Sequence, residues 1–203
     1  MSARETLIAE LREHALVIGE VTLTSGATAS YYVDAKRAIL RQPAFGALGE
    51  LVAAEAKERG ATAVGGMTMG ADPIASAAIG DPAGRDLLAF FVRKEKKQHG
   101  LQRWVEGPIL ASGTKVLIVE DVVTTGGSTV LAIERCREEG LEIAATVAVL
   151  DRLAGGGENI VAASGGAPYT PLATIDEIHP ERDDRKMVDA GTGQWRRLFT
   201  FQE

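Results

Sequence analysis

Val116-Leu117-Ile118-Val119-Glu120-Asp121-Val122-Val123-Thr124-Thr125-Gly126-Gly127-Ser128-Thr129 is the stretch on which the reading of the fold turns. Its first four residues, with Lys115 ahead of them, have the continuous apolar character of a strand buried on both faces. The run ends on two carboxylates. A loop of hydroxyls and glycines follows. A helical pattern begins near Ser128 and continues to Glu139, where Gly140 supplies a stop. A buried strand, a loop and a helix in that order are part of a parallel βα unit.

Working outward, the alternation recurs on both sides. Pro43 suits a first helical turn, and the helix it opens runs to Gly60. Thr62 to Val64 reads as a strand. Asp72 then reads as the N-cap of a helix with Pro73 at its first position. Leu87 to Val92 and Ile143 to Leu150 are two more apolar strands, and Tyr169 to Ile175 reads as an edge strand. Gly155-Gly156-Gly157 reads as a loop. Toward the amino terminus, Leu7, Ile8, Leu11 and Ala15 recur with helical spacing over residues 3–17. Val21 to Thr24 and Tyr31 to Asp34 read as short strands around the turn Ser25-Gly26-Ala27. The stretch from His179 to Glu203 receives no assignment. Apolar strands alternating with helices point to an α/β fold with a mostly parallel sheet covered on both faces.

Composition narrows the classes of function. The chain has 203 residues, 45% hydrophobic and 25% charged, enough to bury about 70% of its unfolded surface. No apolar run approaches the roughly 18 residues of a membrane span. With 22 basic against 28 acidic side chains, the net charge is −6. That is a poor basis for binding a polynucleotide, whose affinity comes from neutralised phosphates. The expected partners are therefore small molecules, with no nucleic acid and no membrane. A single cysteine, Cys136, excludes an intrachain disulfide. The opening Met1-Ser2-Ala3-Arg4-Glu5 lacks the profile of a secretory leader. Both lead to the expectation of a cytoplasmic protein.

The loop after the apolar run has the chemistry of an anion site. In open parallel sheets, ligands sit beyond the carboxyl ends of the strands, and a helix N-terminus there favours a phosphate. Gly126 and Gly127 let the backbone wrap it, while Thr124, Thr125, Ser128 and Thr129 add hydroxyls. A bare phosphate gains nothing from Glu120 and Asp121. A sugar phosphate does, because carboxylates accept hydrogen bonds from a ribose diol one sugar length away. Neither a Gly-Lys-Ser/Thr P-loop nor the Gly-x-Gly-x-x-Gly fingerprint is present. A second feature is Arg93-Lys94-Glu95-Lys96-Lys97-Gln98-His99-Gly100, four cations against one acid. Such a run can be a solvated surface loop. It also begins at a strand's carboxyl end and leads into a long connection, as lids over active sites do.

The segment around Glu120 resembles the PRPP-binding motif of the type I phosphoribosyltransferases: an apolar run, two acids, two apolar residues, Thr-x-Gly, then hydroxyls. The order Arg-Lys-x-x-Lys-x-His-Gly resembles the catalytic loop of the orotate phosphoribosyltransferases among them. Thr22-Leu23-Thr24-Ser25-Gly26 and Ser30-Tyr31-Tyr32-Val33-Asp34 resemble that family's hood. The resemblance covers most of residues 6–178. It implies a type I phosphoribosyltransferase fold, a central mostly parallel sheet flanked by helices with a small N-terminal hood. The hood would come from about residues 1–40 plus C-terminal elements, within one domain over 1–203. It implies transfer of the 5-phosphoribosyl group of PRPP to orotate, giving orotidine 5′-monophosphate and diphosphate, in de novo pyrimidine biosynthesis. It also implies a homodimer with shared active sites, and Mg²⁺ carried by the PRPP oxygens rather than by side chains alone.

Carried over residue by residue, the resemblance makes Arg93, Lys94, Lys97 and His99 contacts of the diphosphate, with Lys97 the main catalytic cation. Asp121 joins Lys97, Arg93 and His99 in the catalytic set. PRPP would also meet Glu120, Asp121, Val122, Val123, Thr124, Thr125, Gly126, Gly127 and Ser128. Orotate would meet Thr124, Arg152, Tyr31 and Tyr32, with the Arg152 guanidinium forked onto its carboxylate. The tyrosines can equally be core residues of a hairpin, and Arg152 a surface ion pair. The chain departs from many family members in having Thr24 and Gly70 where they have lysines. Backbone amides of Gly65 to Asp72 must then do more of the work. Cys136, His14, His179, Met67 and Met69 read as packing or surface residues, and Trp104 as a loop anchor or a cover for a neighbour. A phosphoribosyltransferase for another nucleobase and a PRPP-sensing regulatory protein remain the alternatives.

Overall fold

The computed structural model describes residues 1–22, 28–95 and 103–182. Helix α1 is Ala3–His14, opened by a capping box between Ser2 and Glu5. Strands β1, Leu16–Thr22, and β2, Thr28–Val33, pair antiparallel as a separate two-stranded sheet. The first helix therefore stops three residues before the expected 17, and its strand begins at Leu16. Leu16, Val17 and Ile18 satisfy either spacing, but Ala15 gives its carbonyl to the Asp34 amide at 2.9 Å, which ties the chain to β2. A short α2, Lys36–Ile39, and a long α3, Ala44–Glu58, follow.

Next come β3, Ala63–Met67; α4, Asp72–Gly80; β4, Leu88–Val92; and the two-residue β5, Val105–Glu106. The chain continues through β6, Lys115–Val123; α5, Gly127–Glu138; β7, Glu142–Asp151; α6, Gly156–Ala163; β8, Tyr169–Thr174; and α7, Ile175–Ile178. The main sheet has the order β5-β4-β3-β6-β7-β8. All its pairings are parallel except β4 with β5.

Three further expectations are corrected. Asp72 is not the N-cap of α4; Ala71 takes that place. The Asp72 carboxylate instead accepts from Thr68 Oγ1 at 2.6 Å across the preceding loop. Of the three glycines 155–157, only Gly155 stays outside a helix, as the left-handed cap of α6. Ile160 is fully buried and supplies that helix with its anchor. The edge strand β8 ends at Thr174, which caps α7 together with Glu177.

Alternation along β6 decides the layers. Leu117 and Val119 face a core shared with α1, α3 and α4, whereas Val116 and Ile118 face one shared with α5 and α6. The first core joins Leu7, Leu11, Leu48, Val52 and Ile74; the second joins Phe90, Ile133, Cys136 and Ile160. Cys136 is a free thiol with no exposure, pushed up to about 12 by burial and then by Glu139. The central β3 carries consecutive glycines. A Cβ on Gly65 would lie 2.1 Å from the Phe90 carbonyl oxygen, and one on Gly66 2.1 Å from that of Val119. Only glycine admits neighbouring strands this closely. None of the helices searched, all among the described residues, is long and apolar enough to cross a membrane.

Candidate active site

Strand β6 runs four residues further than its apolar run suggested, through Glu120 and Asp121 to Val123. The pairing of Glu120 with Ala148 and of Val122 with Leu150 fixes both acids on the sheet rather than on a loop. Beyond Val123 the chain turns at Gly126, with φ +81°, and enters α5. A Cβ there would stand 2.8 Å from the Gly156 carbonyl oxygen, so the turn closes against α6. Asn159 also donates to the Thr125 carbonyl at 3.0 Å. The first turn of α5 carries no acid, which leaves its amide end attractive to an anion. Glu120, Val122, Val123, Thr124, Thr125, Gly126, Gly127, Ser128 and Thr129 line a cavity of about 270 Å³ at this end.

The acids differ in surroundings. Glu120 is 6% exposed. Thr129 Oγ1 donates to it at 3.1 Å, and the Asp121 amide lies 3.3 Å from its other oxygen. Burial, followed by the charge of Asp121, pushes its carboxyl up to about 8. Asp121 accepts from the Val122 amide at 2.9 Å and from Lys36 Nζ at 2.7 Å. Lys36 also stands 3.2 Å from Asp34. Burial alone would lower the Lys36 ammonium; the hydrogen bonds and charges of Asp121 and Asp34 outweigh it and raise it.

The β3–α4 loop approaches the acids from the other side. A Cβ on Gly70 would fall 2.6 Å from Asp121 Oδ1 and 3.1 Å from Glu120 Oε1. Thr68 donates to Asp72 Oδ2, while Asp72 Oδ1 is buried without a hydrogen-bond partner. Lys36, Thr68 and the role of Thr129 were missed by the sequence reading. A lone lysine two residues after Asp34 carries no motif, and its contact with Asp121 joins positions 85 apart.

Arg152 continues from β7, its amide bonded to the Val123 carbonyl at 2.9 Å. Its Nη2 donates to the Tyr31 hydroxyl at 3.2 Å, and its guanidinium lies 5.2 Å from that ring. Tyr31 is 4% exposed and meets the His179 ring edge-on at 5.0 Å. His179 is thus half-buried packing rather than an isolated surface residue. Tyr32, next in the strand, is 41% exposed on the opposite face. The structure therefore brings Arg152 to Tyr31 and not to Tyr32.

Of the basic segment, Arg93 pairs with Glu106 at 3.3 Å, and Lys94 is exposed. Lys97 and His99, the remaining cations of the expected catalytic set, lie outside the described residues, as does Thr24. Among the described residues, no group of three or more His, Cys, Asp and Glu side chains could hold a metal ion. A wider cavity of about 640 Å³ lies between α6 and β8, lined by Asp151, Leu153, Val161 and Tyr169 among others. It lacks the acidic pair, and the helix N-terminus on its wall, that of α6, carries Glu158 in its first turn. Its Asp151 carboxylate is already held by the Leu153 amide and the Tyr169 hydroxyl.

Comparison with known proteins bears on this arrangement. Residues 39–163 match the family model described as phosphoribosyl transferase domain. An orotate phosphoribosyltransferase of Corynebacterium glutamicum is 45% identical over 178 residues, 88% of this chain and 95% of that protein. A crystal structure of orotate phosphoribosyltransferase from Mycobacterium tuberculosis aligns with a TM-score of 0.78 at 38% identity, covering 87% of this chain and 99% of that one. The same enzyme in complex with PRPP aligns with a TM-score of 0.72 at 33% identity, covering 87% and 98%.

Proposed function

The chain belongs to the orotate phosphoribosyltransferases, and on that premise we propose that it transfers the 5-phosphoribosyl group of PRPP to orotate. The products are orotidine 5′-monophosphate and diphosphate, a step of de novo pyrimidine biosynthesis. The observation that carries this reading is the acidic pair leading into a loop that lines a cavity, with Arg152 and its Tyr31 contact tied to the start of that loop through the Val123 carbonyl.

In this reading the amides and hydroxyls of Thr124 to Ser128 hold the 5′-phosphate against the N-terminus of α5. Glu120 and Asp121 accept hydrogen bonds from the ribose hydroxyls, with Val122 and Val123 carrying the chain from one group to the other. The Arg152 guanidinium forks onto the orotate carboxylate, and Thr124 and Tyr31 border the base. Tyr32 takes part only if it turns from the face it occupies here. Bond breaking at C1 gives oxocarbenium character, as in glycosyl transfer, and leaves a highly charged diphosphate. Cations aimed at that group lower the barrier. Arg93, Lys94, Lys97 and His99 supply them, with Lys97 foremost and the loop reaching from the partner of a homodimer. Lys36, already bonded to Asp121, adds a cation close to Gly70, near which many family members carry a lysine.

Mg²⁺ fits this donor set. Glu120 and Asp121 offer hard oxygens but no cage, which suits an ion coordinated mainly by substrate phosphates. Bound there, it neutralises charge on the PRPP oxygens. The whole chain, 1–203, is read as one domain in a cytoplasmic enzyme. Its hood combines residues up to about 40 with C-terminal elements; Arg12 Nη2 donates to the Glu177 carbonyl at 2.7 Å, and Tyr31 packs on His179.

The test is the fall in orotate absorbance when PRPP and Mg²⁺ are added to the purified protein, run beside uracil, adenine and hypoxanthine. Consumption of orotate in preference to the others is the expected result. Consumption of another base with orotate untouched overturns the substrate, and turnover of none overturns the activity.

A further inference from the structure

We propose that Arg135 is a positioning residue that fixes both ends of the connection carrying Lys97. This rests on the reading of that connection as the source of the diphosphate-facing cations. Arg135 lies on α5, two turns beyond the phosphate loop, and is only 7% exposed. A buried guanidinium is expensive unless its donors are used. Among the described residues, its hydrogen-bond acceptors are the carbonyl of Arg93, the carbonyl of Lys94 at 2.5 Å and the Met67 thioether at 3.8 Å. Its Nε is buried without a partner. The charge is thus spent on the main chain where the connection leaves β4.

The returning end meets the same turn of α5. The Arg135 guanidinium sits 4.1 Å from the centre of the Trp104 ring, a stacking worth more when desolvated. The Trp104 amide donates to Glu139 at 2.8 Å, and its indole N–H to Glu138 at 2.5 Å. The Arg93 amide donates to the Trp104 carbonyl at 2.9 Å, closing the two ends on each other. Three charged residues within five positions of one helix therefore hold departure and return together. The helix that holds them begins at Gly127, in the loop assigned to the 5′-phosphate. Arg135 touches neither PRPP nor orotate in this arrangement; it acts through the segment it anchors.

Arg135→Met keeps the length and packing of the side chain and removes its donors. Loss of the bonds that hold the diphosphate-facing cations in place for the transition state should lower kcat by about 10- to 100-fold. The KM values for PRPP and orotate should stay within about threefold, since neither substrate is touched. Trypsin should cut between residues 93 and 104 faster than in the wild type without any substrate present, a readout independent of turnover. Arg135→Lys, which keeps the charge, should recover part of kcat. If Arg135→Met does not fold, Trp104→Phe removes the indole bond to Glu138, leaves Arg135 a smaller ring to stack on, and should show the same split to a smaller extent.

Unchanged kcat with unchanged cleavage overturns the proposal. So does a fall in kcat accompanied by equal rises in both KM values and a lowered Tm, the signature of a merely loosened helix. If the wild type itself fails to turn over orotate, the catalytic reading fails. Faster cleavage in the variant still reports the anchoring in that case.

Discussion

Replacing Glu120 with glutamine should remove a pH dependence of stability that the wild type carries between about pH 4.5 and 8. Burial raises the folded carboxyl from 4.5 to about 8, so the native state holds one more proton than the unfolded chain across that window. A group raised in this way contributes its stability fully below the unfolded value and loses it as pH rises through the folded one. The slope is about 1.4 kcal/mol per pH unit for one proton. From pH 5 to pH 7 the wild type should therefore lose about 3 kcal/mol relative to Glu120→Gln. Glutamine keeps an acceptor for Thr129 Oγ1, which donates to Glu120 at 3.1 Å, so packing changes little. For a chain of this size, 3 kcal/mol corresponds to roughly 6–12 °C in Tm. Thermal unfolding of both proteins at pH 5, 6 and 7 measures it, and subtracting one profile from the other cancels the titrations of groups remote from Glu120. Parallel profiles would refute the argument, because they would mean that Glu120 is ionised in the folded state as it is in the unfolded one.

Gly70→Ala should raise the KM for PRPP at least about tenfold, since its Cβ meets Asp121 Oδ1 at 2.6 Å and displaces an acceptor whose bonds are worth about 1.5–3 kcal/mol; PRPP titration with Tm as a control checks it. Arg152→Ala should raise the KM for orotate by about 10- to 100-fold and leave that for PRPP within about twofold, with Tyr31→Phe, which removes the hydroxyl that Arg152 bonds at 3.2 Å, having a smaller effect in the same direction. Mixing inactive Asp121→Ala with inactive Lys97→Ala should restore roughly a quarter of the sites by random exchange in a two-fold dimer. Confirmed exchange without recovered activity would place the Lys97 loop within its own subunit's site.

The parts of the molecule legible in the sequence are those where one signal dominates. Val116 to Val119 could only be a buried strand, and the glycine at 140 ends α5 with φ +78° as a stop should. The acids announced themselves because helix capping does not require them. Where two spacings fit, the reading failed: Val17 and Ile18 suit a helix as well as a strand, and pairing with β2 decided between them. Helix α6 was hidden by three glycines of low helix propensity, which burial of Ile160 overrides. Arg135 was invisible for a different reason. It stands among Glu134, Arg137, Glu138 and Glu139, a composition that reads as a solvated face, and only the fold shows that this one cation turns inward. Lys36 likewise gains meaning only from Asp121, far away in the chain.

Cys136 sits two residues before the end of α5, without exposure and against the sheet. With its thiol pushed up to about 12 from 9.0, the reactive thiolate is scarcer at neutral pH by roughly three orders of magnitude than in an exposed chain. Shielding by the core adds to that. Alkylating reagents should therefore find this single sulfur only when α5 has lifted from β6, and no second cysteine competes for them. The chain thus carries an intrinsic stopwatch: the rate at which the native protein takes up one label counts the openings of the very helix that joins the phosphate loop to the anchored connection.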